Sequence, residues 1–150
     1  MSNRDLVHST LGRVAIVPQT QTNADTAIVG EILDTLGFDS LALFIGTGTL
    51  TDVNATFAVL VEHGDAANLS DAAAVPDSVL LGNSSTGQEA SAGFDFSDDK
   101  ACRVIGYRVA TGKRYVRLTI TPSGNDSGAA PVCAIAVFGH GSRSPASINP

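Results

Sequence analysis

The chain is poor in the residues that most protein chemistry needs. Its 150 residues include no Trp, two Tyr, one Met and two Cys. The two cysteines, Cys102 and Cys133, are too few for a disulfide framework and do not have the spacing of a metal-binding pair. No apolar run approaches the roughly 18 residues of a membrane span, and the N-terminus lacks the apolar core of a signal peptide. We therefore expect no membrane segment and synthesis in the cytoplasm.

Positive charge is missing from more than half of the chain. Residues 14–99 hold no Lys or Arg and thirteen acids, whereas residues 100–150 hold seven bases and the single acid Asp126. In one arrangement, the two halves interleave in the fold and opposite charges become neighbours. In the other, the domain has two faces, an acidic one that repels nucleic acid and a basic one that binds an acidic partner. The sequence leaves both arrangements open.

The rest of the composition is that of an ordinary globular domain. Hydrophobic residues make up 43% of the chain and charged residues 16%, and a chain of this length supports one domain with a core. We predict an N-terminal arm at 1–13, a single β-sandwich domain at 14–139 and a C-terminal tail at 140–150. The two ends either fray or lie over a neighbouring molecule.

The C-terminal half alternates with the period of two that is typical of half-buried strands. Residues 113–121 and 103–109 each place apolar side chains on one side, and the link 110–112 ends in Gly, which predicts a hairpin. Residues 132–138 are apolar on both sides, which predicts a strand buried between two layers. The predicted core centre is Leu43, Val59, Ile105, Val116, Leu118, Ile120 and Ile135.

The N-terminal half is less regular. Residues 14–17, 41–45 and 56–61 read as strands, the first of them stopped by Pro18, and 64–97 reads as a long loop region. Residues 23–36 fit a strand or a helix, because three apolar residues recur there at every fourth position. Together these signals predict an all-β fold, an antiparallel β-sandwich or jelly-roll-like barrel of about seven to nine strands.

No motif in the chain predicts catalysis. The three histidines are scattered without metal-ligand spacing, and no GxSxG nucleophile motif occurs. Residues 95–99 are acidic but lack the spacing of a calcium loop. We therefore expect a protein that is not an enzyme and that has no catalytic residue, no metal and no cofactor.

Several segments together resemble one family of viral proteins. They are the start MSNRDLV, GFDSL leading into an apolar strand at residue 41, an acidic loop after Glu62, LLG ending at Gly82, and GKRYVRLTIT at 112–121. This set, spread over residues 1–140, is similar to head decoration (cement) proteins of tailed siphophages. The chain differs from that pattern by an insertion at 84–93 and by a proline-containing tail after His140.

The resemblance implies a virion structural protein that binds the outside of a phage capsid and stabilises the shell. Its partners would be the major capsid protein and copies of itself in a trimer or other small symmetric oligomer, without direct contact to nucleic acid or membrane. A tail or fibre component that binds a receptor or carbohydrate is the alternative. The absence of Trp makes it less favoured, since glycan sites use exposed aromatic rings.

The basic residues around the predicted hairpin are the candidate partner-binding surface. They are Arg108, Lys113, Arg114 and Arg117. Charged residues around a tight turn stay available to an acidic surface, where they raise association rates. Arg117 has a second interpretation, a pair with an acid across its own sheet.

Overall fold

The computed structural model describes residues 6–82 and 87–141. Most of these residues lie in β-strands, and the helical segments are a five-residue helix, α1 (Gln88–Ala92), and a 3-10 turn at Val109–Thr111. The strands are β1 (Thr10–Thr22), β2 (Ile28–Val29), β3 (Leu33–Asp34), β4 (Phe38–Thr47), β5 (Thr56–Gly64), β6 (Ala73–Ala74), β7 (Leu80–Leu81), β8 (Phe94–Asp95), β9 (Cys102–Arg108), β10 (Tyr115–Ser123) and β11 (Ala129–Gly141).

Two antiparallel sheets form a sandwich. Sheet 1 has the strand order β1-β11-β4-β9-β7, and sheet 2 has the order β2-β10-β5-β6, with β3 also paired to β10 and β8 to β5. The predicted all-β antiparallel sandwich is confirmed. The described residues contain eleven strands, more than the predicted seven to nine, because five of them are only two residues long. Strands that short leave no period in the sequence.

The core lies between the two sheets. Strand β10 buries Val116, Leu118 and Ile120 completely, while the alternate residues Tyr115 and Arg117 stay partly exposed on the other side. Sheet 1 supplies buried residues to the same core, including Leu43, Ile105 and Tyr107. Six of the seven predicted centre residues are therefore buried, and the exception is Ile135.

Ile135 shows that the prediction for β11 was wrong. The strand is not buried on both sides: Ala134, Ala136 and Phe138 face the core, whereas Ile135 is 39% exposed and Val137 is partly exposed. Both faces of the segment are apolar, so composition could not distinguish the covered face from the open one. Only the layer on the inner side exists among the described residues.

The predicted hairpin at 110–112 was also wrong. β9 pairs with β4 and β7 in sheet 1, whereas β10 pairs with β5, β2 and β3 in sheet 2. The chain therefore crosses from one sheet to the other through the turn Val109–Thr111. A short link ending in Gly fits both a hairpin and a crossover, and the choice depends on strands distant in sequence.

Several boundaries differ from those expected. Residues 10–13 belong to β1 and 140–141 to β11, because Thr10 pairs with Gly139 and Gly141 pairs with Phe38. The rest of each predicted terminal segment lies largely at 1–5 and 142–150, outside the described residues. Residues 23–36 form strands β2 and β3 and no helix. The predicted loop 64–97, of which 83–86 also lies outside the description, contains β6, β7, α1 and β8.

Strand β1 forms one edge of sheet 1 and does not stop at Pro18. It continues to Thr22 through two irregularities in its pairing with β11, one between Val14 and Ile16 and one between Ile16 and Gln19. Pro18 lies in the second irregularity, where its missing N–H costs no ladder bond.

We predict that Leu118→Ala lowers the free energy of unfolding by about 2–5 kcal/mol, because it leaves a cavity between the sheets. Urea unfolding followed by circular dichroism measures the change. Val29→Ala is the matched control, since Val29 is 58% exposed on sheet 2, and it should change stability by less than about 1 kcal/mol. Equal losses in the two variants would contradict the core assignment.

Candidate partner-binding surface

Three of the four candidate basic residues gather at one end of the sandwich. Arg108 ends β9, Lys113 and Arg114 follow the turn Val109–Thr111, and β10 then begins at Tyr115. We call this end, with Arg108, Lys113 and Arg114, the basic pole. Arg117 lies further along β10, on the outer face of sheet 2.

Arg114 binds an acid of the N-terminal half. Its Nε and Nη2 donate to the two oxygens of Asp34 at 2.8 and 2.7 Å, a bidentate pair. The guanidinium also lies 4.9 Å from the centre of the Tyr115 ring. Hydrogen bonding to Arg114 lowers the pKa of Asp34. The pair therefore ties the short strand β3 to the start of β10.

Arg117 and Glu62 form a cross-strand pair on sheet 2. They are register partners in the β5–β10 ladder, and Arg117 Nη2 donates to Glu62 Oε2 at 2.9 Å. Both side chains are mostly covered, at 24% and 20% exposed. Of the two interpretations of Arg117, the structure shows the pair across its own sheet.

Lys113 lies beside two acids, while Arg108 projects without one. The Lys113 ammonium is 3.6 Å from Asp65 and 3.8 Å from Asp71. Arg108 is exposed and pairs in register with Ser40 on the outward side of sheet 1. No carboxylate of residues 6–82 and 87–141 forms an ion pair with Arg108. Of the three basic residues of the pole, Arg108 is therefore the one whose charge is least balanced by neighbouring acids.

These pairs decide how the separated charges are arranged. Arg103 pairs with the nearby Asp98, whereas Lys113, Arg114 and Arg117 each meet acids of the N-terminal half that are distant in sequence. The first arrangement, interleaving, holds for the described residues. The assignment of the four basic residues to a partner surface stays a prediction.

A hydrogen-bond network under the basic pole was not predicted from the sequence. The buried Tyr107 hydroxyl donates to the Lys113 carbonyl at 2.8 Å and accepts from the Lys113 N–H at 2.6 Å. His63 Nδ1 lies 2.9 Å from the same oxygen. Because the single hydroxyl hydrogen goes to the carbonyl, His63 Nδ1 is the donor in that contact. A Tyr on the inward side of a strand was the one signal that a polar partner had to be nearby.

Burial changes the titration of both side chains in this network. Burial raises the pKa of Tyr107 to about 12, so the hydroxyl remains protonated in neutral solution. Burial, and then the positive charge of Lys113, lower the pKa of His63 below its ordinary value of 6.5. In the folded protein His63 is therefore neutral in neutral solution.

The basic pole contains a small hollow between its two chain segments. The hollow has a volume of about 270 Å³. Its walls come from the residues before and at the start of β4 and from the residues between β9 and β10, namely Thr35, Leu36, Gly37, Phe38, Val109, Gly112, Lys113 and Arg114. Thr35 fixes the two segments together, since its N–H and hydroxyl both donate to the Arg114 carbonyl.

The acidic loops are structural in the described part of the chain. Asp52, Asp71 and Asp95 accept hydrogen bonds from N–H groups of nearby loop residues. These bonds lower the pKa of Asp52 and Asp71. The pKa of Asp95 is lowered first by the hydrogen bond from the Ser97 hydroxyl and then by the one from the Ser97 N–H. Within residues 6–82 and 87–141, no three His, Cys, Asp or Glu side chains are placed to hold a metal ion. No helix among the residues described is long and apolar enough to cross a membrane.

Comparisons with known proteins identify no family. No family model matches the chain, and no curated protein matches it. One solved structure, a family two carbohydrate esterase from Cellvibrio japonicus, is similar at 14% identity and a TM-score of 0.35. The match covers 95% of this chain and 37% of the esterase chain. A TM-score this low does not establish a shared fold or activity.

We predict that stability decreases as the pH falls below about 6.5, where His63 is protonated more readily in the unfolded chain than in the folded one. Stability continues to fall until the pH reaches the lowered pKa of His63 in the folded protein. Urea unfolding between pH 7.5 and 5 measures it. His63→Asn should weaken this dependence, whereas His140→Asn, which alters an exposed histidine, should retain it. An unchanged slope in His63→Asn would contradict the assignment.

We predict that Gly112→Ala destabilises the fold by about 1–3 kcal/mol or more, because the added Cβ would collide with the Tyr107 hydroxyl and ring. Gly12→Ala is the control, since a Cβ there meets nothing within 4 Å. Thermal unfolding compares the two variants. Similar melting temperatures for both would show that the Tyr107 network tolerates displacement.

Proposed function

We propose that this chain is a decoration protein of a tailed-phage head that binds the outer surface of the capsid. In this role it is a virion structural protein without enzymatic activity. Its partner is the major capsid protein, and its added contacts stabilise the shell by binding the assembled state.

The position of the family-like segments carries the proposal. GFDSL, at 37–41, and KRYVRL, at 113–118, are far apart in sequence. In the fold they are neighbours, because Gly37 and Phe38 form one wall of the hollow at the basic pole and Lys113 and Arg114 form the opposite wall. Both segments carry the resemblance to decoration proteins, and both lie at the basic pole. This supports a binding role for that surface.

The chemistry of the pole favours an acidic partner. Arg114 and Lys113 are already compensated by acids, so their removal would disturb the fold as well as any contact. Arg108 is exposed and has no ion pair within the described residues, which makes it available to a carboxylate on a partner. Exposed Leu36 adds an apolar group at the hollow. The pole thus combines one available charge with an apolar contact point.

The alternative, a carbohydrate-binding tail component, receives less support from the two tyrosines. Of the two tyrosines, Tyr107 is buried and engaged with Lys113, and Tyr115 lies beneath Arg114. Neither ring is exposed as a flat surface on which a sugar could stack.

We predict that Arg108→Glu weakens binding to phage heads several-fold, with a reduced dependence on salt, because a charge at an interface rim acts mainly on association. The assay uses heads of the encoding phage or prophage that lack this gene product, to which purified protein is added. Sedimentation of the heads and gel quantification give the occupancy.

Lys100→Glu is the matched control, since it makes the same charge change at an exposed residue near Gly48, towards the opposite end of β4. It should bind like the unchanged protein. Failure of the unchanged protein to bind heads would overturn the proposed function. Binding to tails instead would support the alternative, and equal loss in both variants would remove the basic pole as the docking site.

A further inference from the structure

Two polar side chains at one end of sheet 1 form a hydrogen-bonded pair. Ser40 of β4 and His140 of β11 meet through Ser40 Oγ and His140 Nδ1, which lie 2.9 Å apart. His140 is exposed and has a φ of 52°, a left-handed conformation that residues other than glycine adopt infrequently. Residues held in this region are concentrated at functional sites. We call these two residues the Ser–His pair.

The backbone of β11 is shaped to hold the Ser–His pair. In a regular strand His140 would point away from the face that carries Ser40, because its neighbour Gly139 is the register partner of Ser40. The left-handed conformation of His140 brings the ring back to the Ser40 hydroxyl. A Cβ added at Gly139 would lie 2.9 Å from Ser40 Oγ, so the missing side chain leaves room for the hydroxyl.

Arg108 of β9 lies on the other side of Ser40. The two are register partners, and partners on one face have Cβ atoms about 4.5–5.5 Å apart, so the guanidinium is within reach of the Ser–His pair. The chain has fifteen acids and nine bases, and Lys113, Arg114 and Arg117 each lie beside an acid. Arg108 is exposed and has no ion pair in the described part of the chain. It is unusual for an arginine of so acidic a chain to be left without one.

The acid nearest to this cluster in sequence does not balance Arg108. Asp39 precedes Ser40 on β4, so its side chain alternates to the other face of the strand. It forms no ion pair with Arg108 or with His140, all of which are described residues. An acceptor for Arg108 is therefore absent from this face of the described chain.

Every arrangement of hydrogens in the Ser–His pair leaves a donor free for a ligand. If His140 Nδ1 accepts from the Ser40 hydroxyl, the ring hydrogen is on Nε2 and is free to donate. If Nδ1 donates to Ser40 Oγ, the hydroxyl hydrogen is free instead, and a protonated ring leaves both free. Arg108 adds the donors of a guanidinium, which accepts nothing. The three side chains together present hydrogen-bond donors that the described chain does not use.

We infer that Ser40, His140 and Arg108 form a binding site for one carboxylate, from an Asp or Glu side chain of the major capsid protein. The inference rests on the proposed function, which supplies the partner. The guanidinium fork binds both carboxylate oxygens, and the Ser–His pair donates a further hydrogen bond to one of them. Ionised carboxylates accept hydrogen bonds without donating any, which matches a site made of donors.

Binding to phage heads that lack this gene product tests the site. Arg108→Lys keeps the charge and loses the fork, so it should lower the affinity several-fold while the salt dependence is retained. Arg13→Lys is the matched control, because it makes the same change at an exposed residue of the edge strand β1, and it should bind like the unchanged protein. A site that needs only positive charge would give no loss in Arg108→Lys.

The contribution of the Ser–His pair is measured with two further variants. Ser40→Ala removes the hydroxyl, and His140→Gly removes the ring with a residue that adopts the left-handed conformation without strain. Each should weaken head binding several-fold with little change in melting temperature, since both side chains lie at the surface. Ser123→Ala, at the exposed far end of β10, should have no effect. Normal binding by both Ser40→Ala and His140→Gly would remove the pair from the site.

Carbodiimide crosslinking identifies the partner group directly. In Arg108→Lys, bound to heads at saturating concentration, the new amine lies beside the carboxylate and should form an amide bond with it. Mass spectrometry should then find residue 108 joined to an Asp or Glu of the major capsid protein. Lys100, exposed towards the opposite end of β4, should give no such product and serves as the internal control.

The outcomes separate this inference from the proposed function. If the unchanged protein binds heads but Arg108→Lys binds equally well and gives no crosslink, the carboxylate site is overturned and the decoration role is retained. If the unchanged protein does not bind heads, both are overturned. A crosslink at residue 108, together with weaker binding of the Ser40 and His140 variants, would support the site.

Discussion

The fold depends on the insertion of its last two strands into sheets begun by the N-terminal half. β11 lies between β1 and β4, and β10 lies between β5 and the short strands β2 and β3. Neither sheet can be completed until these C-terminal strands pair. The interleaving of charge follows from this topology, because bases on and beside β10 reach acids of β3, β5 and the loop after β5. Pairing between strands that are distant in sequence also favours slow folding. The entropy of closing the long loops is lost before the contacts that compensate it have formed.

The sequence predicted those parts of the fold that local patterns determine. The period of two in β10 correctly placed Val116, Leu118 and Ile120 in the core, because a half-buried strand needs only its own alternation to be recognised. The link after β9 was misread, since pairing with a neighbour or crossing to another sheet depends on β5 and β3, which are distant in sequence. Ile135 was misplaced for the same reason: which face of β11 is covered is decided by the other sheet.

The candidate site was only partly predictable. The cluster of basic residues was visible as composition, but their partners Asp34, Glu62 and Asp71 were not, because nothing local connects residues so far apart. The Tyr107 network joins Lys113, six residues away along the chain, to His63, which is 44 residues away in β5 of the other sheet. The pattern of residue types along the chain does not show which distant segments the fold brings together.

Pro18 and the irregular pairing around it limit how sheet 1 can grow. β1 is an edge strand, and Glu31 N–H already occupies the Ala15 carbonyl on it. A proline within a distorted edge offers an incoming strand a broken series of donors and acceptors. Sheet-by-sheet polymerisation into open fibres is thereby disfavoured. The other edge of sheet 1 is the two-residue strand β7, so this sheet has little room to grow by added strands on either side.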